Sequence, residues 1–259
     1  MAAALIGGLV RAGRPAQSIL VVEPLEAQRA RLAQDFGVSA QASADARLGT
    51  AATVVWAVKP QLFTQAAMPC APFVAQALQL SVMAGIRSGA IAAASGSARV
   101  VRAMPNTPAL IGRGIAGLYA RPGVTDTERG EVEALLGPTG ALLWLADETG
   151  LDAVTALSGS GPAYVFYVLE ALMHGAVEMG LSPAQGRALA LATFDGATEL
   201  ARRSPDTPES LRAQVTSQGG TTQAAISVLE AAGVKAAFVA AMQAAQWRAR
   251  ELGDEFGGR

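Results

Sequence analysis

The residues best equipped for chemistry lie in Ala156-Leu157-Ser158-Gly159-Ser160-Gly161-Pro162-Ala163-Tyr164, just ahead of a long apolar stretch. Ser158 and Ser160 carry hydroxyls, Gly159 and Gly161 permit tight backbone conformations, and Pro162 suits the first position of a helix. A helix start of this kind presents free N–H groups outward and suits a carboxylate or a phosphate. Thr216-Ser217-Gln218-Gly219-Gly220-Thr221-Thr222 has the same character and again precedes a helical pattern. Either loop alone reads equally as a plain capping turn. Two such loops in one helical region suggest a jointly built pocket.

Two kinds of element must position these loops. Up to Asp147 the chain alternates helical and strand patterns. Residues 2–12 read as a helix closed by Gly13, residues 18–23 as a strand, and residues 24–36 as a charged-faced helix stopped by Gly37. Thr-Val-Val-Trp-Ala-Val at 53–58 reads as a strand buried on both faces. Further strand patterns at 78–83, 98–104, 115–120 and 141–145 alternate with helices at 89–95 and 125–136, which implies a parallel, doubly wound sheet. Beyond Asp147 the strand patterns stop. Residues 162–179 are apolar almost all round and require burial in a core or between subunits. Ser182-Pro183-Ala184-Gln185 reads as a capping box with proline at the first helical position, and Thr207-Pro208-Glu209 repeats that start. Helical patterns at 222–232 and 234–252, with Gly233 between them, complete an all-helical half.

In doubly wound sheets a ligand, most often a dinucleotide, sits beyond the carboxyl ends of the strands. Two strand ends are suited to that. Lys59-Pro60-Gln61 follows the 53–58 strand, where proline stops ladder pairing and the lysine is free to face a ligand. Pro105-Asn106-Thr107-Pro108 follows the 98–104 strand, with an amide and a hydroxyl suited to a nicotinamide carboxamide or a ribose. Each also reads as a proline-bounded loop.

Composition narrows the class. The chain has 259 residues and a formal net charge of −1, and it lacks a basic stripe interleaved with aromatics, so neither nucleic acid nor an anionic membrane is an expected partner. Its 51% hydrophobic content is rich in alanine and includes no uninterrupted run of membrane-spanning length. Cys70 is the single cysteine, which rules out an intrachain disulfide and a cysteine metal cluster and fits a reducing cytoplasm; no metal is expected. His174, the single histidine, lies in the apolar helix and reads as a packing or interface residue.

Four motifs, in order along nearly the whole chain, resemble the signatures of pyrroline-5-carboxylate reductases: Lys59-Pro60-Gln61, Arg102-Ala103-Met104-Pro105-Asn106-Thr107-Pro108, Ser158-Gly159-Ser160-Gly161-Pro162-Ala163-Tyr164 and Gly219-Gly220-Thr221-Thr222. The resemblance implies reduction of the cyclic imine 1-pyrroline-5-carboxylate to L-proline with NADPH or NADH, the last step of proline biosynthesis. It also implies a Rossmann-like α/β domain at residues 1–147, followed by an all-helical substrate-binding and dimerisation domain at 148–259 in a homo-oligomer. Carried over to this chain, Glu23, Ala57, Val58, Lys59, Pro60, Met104, Pro105 and Asn106 would line the cofactor. Ser158, Ser160, Gly161, Ser217, Gly220, Thr221 and Thr222 would surround the imino acid, with Thr222 or a bound water hydrogen-bonding the imine nitrogen. Such a reaction needs no strong base. It needs the nicotinamide carbon held about 3–3.5 Å from the C=N carbon and a proton on nitrogen.

Three departures from the family pattern stand out. Gln218 replaces the usual proline between Ser217 and the glycine pair. Glu23-Pro24 stands where NADPH-preferring relatives present a polar residue and an arginine; an acid there bonds a ribose 2′-OH and repels a 2′-phosphate, so NADH is expected to serve at least as well as NADPH. Finally, Met1-Ala2-Ala3-Ala4-Leu5-Ile6-Gly7-Gly8 matches the family only from the end of its G-x-G-x-x-A turn onwards, so the first strand and the first two fingerprint glycines read as missing and Met1 as an internal methionine of a longer product. Two alternatives stay open: a non-catalytic fragment that keeps the helical half but binds no dinucleotide, and a β-hydroxyacid dehydrogenase relative, against which the 162–179 helix lacks a lysine.

Overall fold

A computed structural model describes residues 1–256. The chain opens with α1 (Ala2–Arg11), which ends near Gly13 at φ 90°. β1 follows as a pair of residues, Val21–Val22, in place of the longer strand expected at 18–23, because residues Ala16–Ser18 wind into a 3-10 turn. α2 (Glu26–Phe36) closes on Gly37 in the left-handed region, as glycine without a Cβ allows. β1 pairs in parallel with β2 (Ala40–Gln41), and the two form a small sheet of their own.

The main sheet runs in the order β3 (Thr53–Trp56), β4 (Leu78–Ser81), β5 (Val100–Met104), β6 (Gly114–Ala120), β7 (Gly140–Trp144). β3, β4 and β5 are parallel, but β6 runs antiparallel to β5 and β7 follows β6, so the sheet is mixed rather than wholly parallel. The short 105–113 connection accounts for this, since it has no room for the helix that a parallel return requires. β3 stands at the edge of this sheet, and its first three residues are only half-buried, contrary to the two-sided burial expected of 53–58.

Alternation along the strands builds two apolar layers. Leu78 and Leu80 of β4 and Val101 and Ala103 of β5 join Leu5 and Leu9 of α1 and, from α6 (Asp126–Leu136), Val132 and Leu136. On the other face Trp56, Val100 and Met83 pack with Phe63 of α3 (Phe63–Ala67), Val74 of α4 (Ala71–Val74) and Ile91 of α5 (Ser88–Ser95). The fully buried Gln79 on that face is satisfied: the Trp56 indole N–H donates to its Oε1 at 2.9 Å, and its Nε2 donates to the carbonyls of Val74 and Ala77, each at 2.9 Å.

After β7 the chain is helical: α7 (Gly150–Val154), a π turn at Thr155–Gly159, α8 (Gly161–Glu178), α9 (Pro183–Arg203), α10 (Pro208–Gln214), α11 (Thr221–Ala231) and α12 (Val234–Phe256). The capping box at the head of α9 forms as its sequence dictates. Ser182 Oγ accepts from the Gln185 N–H at 3.3 Å, and Gln185 Oε1 accepts from the Ser182 N–H at 2.9 Å. Thr207 caps α10 in the same manner, accepting from the Ser210 N–H at 3.2 Å.

Two compact units emerge, one of Met1–Pro162 with Ala244–Arg259, the other of Ala163–Gln243. Strand structure ends before Asp147, but the first unit extends further because Val154 of α7 packs on Gly117 of β6. The end of α12 belongs to it as well: Leu252 packs on Gly85, and Asp254 pairs with Arg87 at 2.7 Å. In the second unit many large apolar side chains of α8 stand exposed, among them Phe166 at 58% and Tyr167 at 73%. Among the described residues no single helix is long and apolar enough to cross a membrane; Thr221–Ala231 and Val234–Phe256 reach that apolar length only as a bent pair.

Candidate active site

The carboxyl ends of the parallel strands carry the residues expected there. Beyond β3, Ala57 and Val58 are half-buried and Lys59 is exposed; Lys59 is extended, and Pro60 opens a 3-10 turn closed by the Leu62 N–H on the Lys59 carbonyl at 2.9 Å. Beyond β5, Pro105 is buried and Asn106 half-buried. The side-chain oxygen of Asn106 accepts from the Ile115 N–H at 3.0 Å, so it braces the loop against β6. Its amide N–H₂ alone remains to donate, a narrower role than the sequence suggested. At the end of β1, the Glu23 carboxylate accepts from the Leu25 N–H at 2.9 Å, while Arg29 Nη1 donates to the carbonyls of Glu23 and Pro24 at 2.9 and 2.7 Å. The Glu23 carboxylate is thereby fixed at the end of β1.

The loop at 158–162 is not the open helix start that its glycines and proline suggested. Helical winding begins earlier, at Gly150, and runs through the π turn into α8. The Ser160 N–H donates to the Thr155 carbonyl at 2.8 Å, and the Ser158 hydroxyl donates to the Val154 carbonyl at 3.0 Å. These groups are therefore not a free anion cradle. Pro162 has no N–H for the Ser158 carbonyl in the preceding turn, and a widened π turn accommodates that gap in the ladder.

What the turn does instead is approach the sheet closely. A Cβ on Gly159 would lie 2.8 Å from the Met104 Cε, and one on Gly117 would lie 2.8 Å from both Val154 methyls. Met104 and Gly117 face each other across the β5·β6 ladder. Glycine at these two positions thus seats the turn on the sheet and brings Gly159, with Ser158 and Ser160 on either side of it in the chain, against Met104 within one unit.

The second loop, in the other unit, does keep an open helix start. Gly219 sits at φ 74°, the Gly220 N–H donates to the Ser217 carbonyl at 3.1 Å, and a Cβ on Gly220 would fall 2.7 Å from the Ser217 Oγ. Gly220 caps α11 without a side-chain bond. The N–H groups of Thr221, Thr222 and Gln223 have no protein acceptor among the described residues, so the positive end of an eleven-residue helix is available to an anion, with two threonine hydroxyls beside it. Gln218 leaves the loop without proline's stiffness. The Gln223 side chain compensates by accepting the Gly219 N–H at 2.5 Å, and Glu230 bonds both Arg212 of α10 and Lys235 of α12.

Sequence reasoning missed one cluster. Arg102 of β5 is only 6% exposed, and its Nη1 donates to Glu148 at 2.8 Å. Glu148 also accepts from the Ser88 N–H and hydroxyl, both at 2.6 Å, at the start of α5. A charge inside the apolar run Val-Val-Arg-Ala-Met was the available signal, since a buried guanidinium demands an acid. Burial pushes the Glu148 carboxyl up, but hydrogen bonds from Ser88 and from Arg102, with the Arg102 charge, outweigh that and hold it below its ordinary value of 4.5. A depressed folded-state value adds stability above the unfolded one and loses it as pH falls through the folded one. Glu148→Gln is therefore expected to be less stable than wild type at neutral pH, with the gap closing as pH drops below about 4.5. Urea unfolding at several pH values checks this; a gap independent of pH contradicts it. His174, by contrast, is an exposed residue paired with Glu178 at 3.2 Å.

Compared with known proteins, the chain is 41% identical to the pyrroline-5-carboxylate reductase of Pseudomonas aeruginosa, over 99% of this chain and 95% of that one. It belongs to the pyrroline-5-carboxylate reductase family. The reductase of Haemophilus influenzae is 37% identical over 97% of this chain and 94% of its own length. Residues 148–252 match the family model for pyrroline-5-carboxylate reductase dimerisation, and residues 1–85 match that for NADP oxidoreductase, coenzyme F420-dependent. Among solved structures, the Coxiella burnetii reductase superposes with a TM-score of 0.88 at 32% identity, covering 97% of this chain and 94% of that one. The Plasmodium falciparum pyrroline carboxylate reductase with NADP bound gives 0.87 at 26%, with the same coverage of both chains. A reductive aminase from Aspergillus terreus, at 0.58 and 18%, shares the fold. The family is one of NAD(P)H-dependent oxidoreductases. The parallel strand ends, the anchored Glu23 and the small-residue turn against Met104 suit a nucleotide cofactor of that kind.

Proposed function

We infer that this chain reduces 1-pyrroline-5-carboxylate to L-proline with NAD(P)H, in the cytoplasm, as a homo-oligomer assembled through its exposed C-terminal helices. The observation that carries this is the seating of the 158–160 turn on Met104, which sets hydroxyl-bearing residues beside the strand ends where Ala57, Val58, Lys59, Pro60, Pro105 and Asn106 would line the cofactor. Bound NAD(P)H supplies the hydride. The protein's own tasks are binding, orientation and delivery of a proton to nitrogen. The substrate's carboxylate is assigned to the open start of α11, where the N–H groups and the Thr221 and Thr222 hydroxyls hold it without an arginine. Ser217 and Gly220 shape that loop, and Ser158, Ser160 and Gly161 are assigned to the substrate by their match to the family motif. Thr222, half-buried and hydroxyl-bearing, hydrogen-bonds the imine nitrogen, directly or through water.

Proline-dependent reduction of NAD or NADP at high pH tests the activity. A chain that quenches no nicotinamide fluorescence and turns over no proline is the non-catalytic alternative instead. The Glu23 carboxylate sets the cofactor preference: kcat/KM with NADH is expected to equal or exceed that with NADPH, and Glu23→Ser to shift the ratio toward NADPH about tenfold through loss of charge repulsion. A clear NADPH preference in the unaltered chain overturns that assignment.

A further inference from the structure

We propose that the buried Arg102–Glu148 pair is a positioning device, which sets where the π turn lies on β5 and so places Ser158 and Ser160 relative to the strand ends assigned to the cofactor. This rests on the imine-reductase function inferred above. Arg102 and Met104 are two residues apart on β5 and point to the same face. Glu148 stands two residues ahead of α7, and from Gly150 to Gly159 the chain is one helical rod. That rod is held to β5 at both ends: by the Glu148 carboxylate on Arg102 at 2.8 Å, and by the approach of Gly159 to Met104. Ser88 adds a third anchor by donating its N–H and hydroxyl to the same carboxylate from the start of α5, where a negative charge is favoured.

Stability alone is a poor reason for such a pair. A buried ion pair contributes little net stability beside an apolar pair of equal volume. Here, moreover, the Arg102 Nε is buried with no hydrogen-bond partner among the described residues. A directional, charge-assisted bond does something apolar packing does not: it resists sliding of the rod along the strand. A slide of about 1 Å at Gly159 is enough to cost up to about a hundredfold in rate by misplacing the reacting atoms.

The test compares wild type, Glu148→Gln and the double variant Arg102→Met/Glu148→Leu, which fills the same space without charge. Three readouts are taken: kcat for imine reduction, the NADH dissociation constant from fluorescence, and ligand-free hydrogen exchange at the Ser160 amide. In both variants kcat is expected to fall at least about tenfold. NADH affinity stays within about twofold, because the cofactor side is held by other residues. Ser160 exchange is expected to accelerate. The double variant removes the unpaired Arg102 charge that Glu148→Gln leaves, and it is expected not to recover kcat. Wild-type kcat and Ser160 exchange in the double variant would show the pair to be structural only and overturn the proposal. Absence of turnover in the wild-type chain removes the activity itself, and the alignment role with it.

Discussion

Thr222→Ala is expected to lower kcat/KM for 1-pyrroline-5-carboxylate about a hundredfold, the loss typical of a single donor aimed at charge that develops in the transition state. Thr222 occupies the first turn of α11, where its hydroxyl has no partner among the described residues and its helix start has no side-chain cap. The substitution leaves the helix and its free N–H groups in place. Carboxylate binding is therefore expected to weaken only a little, and the effect to fall mainly on kcat. Thr222→Ser keeps the hydroxyl and is expected to retain most of the activity. Steady-state kinetics on the three proteins, with thermal melts to show that they fold alike, decides the matter. If the alanine variant turns over within about twofold of wild type, Thr222 is not the group at the nitrogen, and a water held by its neighbours takes that role.

Gly140→Ala carries the largest expected effect on stability, about 3–5 kcal/mol, from two independent causes. Gly140 adopts φ 138° and ψ −153°, a conformation essentially reserved for glycine. It also pairs with Gly114 at the first rung of the β6·β7 ladder, and an added Cβ would overlap the Gly114 carbonyl oxygen and lie 2.6 Å from its nitrogen. Backbone atoms cannot rotate away. At Gly159 the obstacle is the mobile end of Met104, so Gly159→Ala is expected to cost far less. Urea unfolding measures both; a Gly140→Ala protein with a wild-type midpoint contradicts the geometry.

Much of the local structure was legible in the residues themselves. The Ser182–Gln185 capping box, the Thr207 cap and the glycine stops at Gly13, Gly37, Gly180 and Gly233 are decided within four or five residues, so their types and spacing settle them. The free start of α11 was readable for the same reason. The loop at 158–162, of similar composition, takes a different structure. Whether a proline opens a helix or rides a widened turn within one depends on what precedes it, and here the 150–154 segment is already wound against β6.

Taken by itself, the sequence determined the succession of an α/β half and a helical half, the four ordered motifs that mark the family, and the caps and stops of most helices. Each of these rests on interactions between near neighbours in the chain. Only the tertiary structure decided that β6 runs against β5, that β1 and β2 pair apart from the main sheet, and that Gly159 closes on Met104. It alone joined Glu148 to Arg102 and Ser88, residues 46 and 60 positions away. A buried charge states in the sequence that it needs a partner, but the partner is chosen by how strands and helices pack, and that choice is made by contacts between residues far apart in the chain.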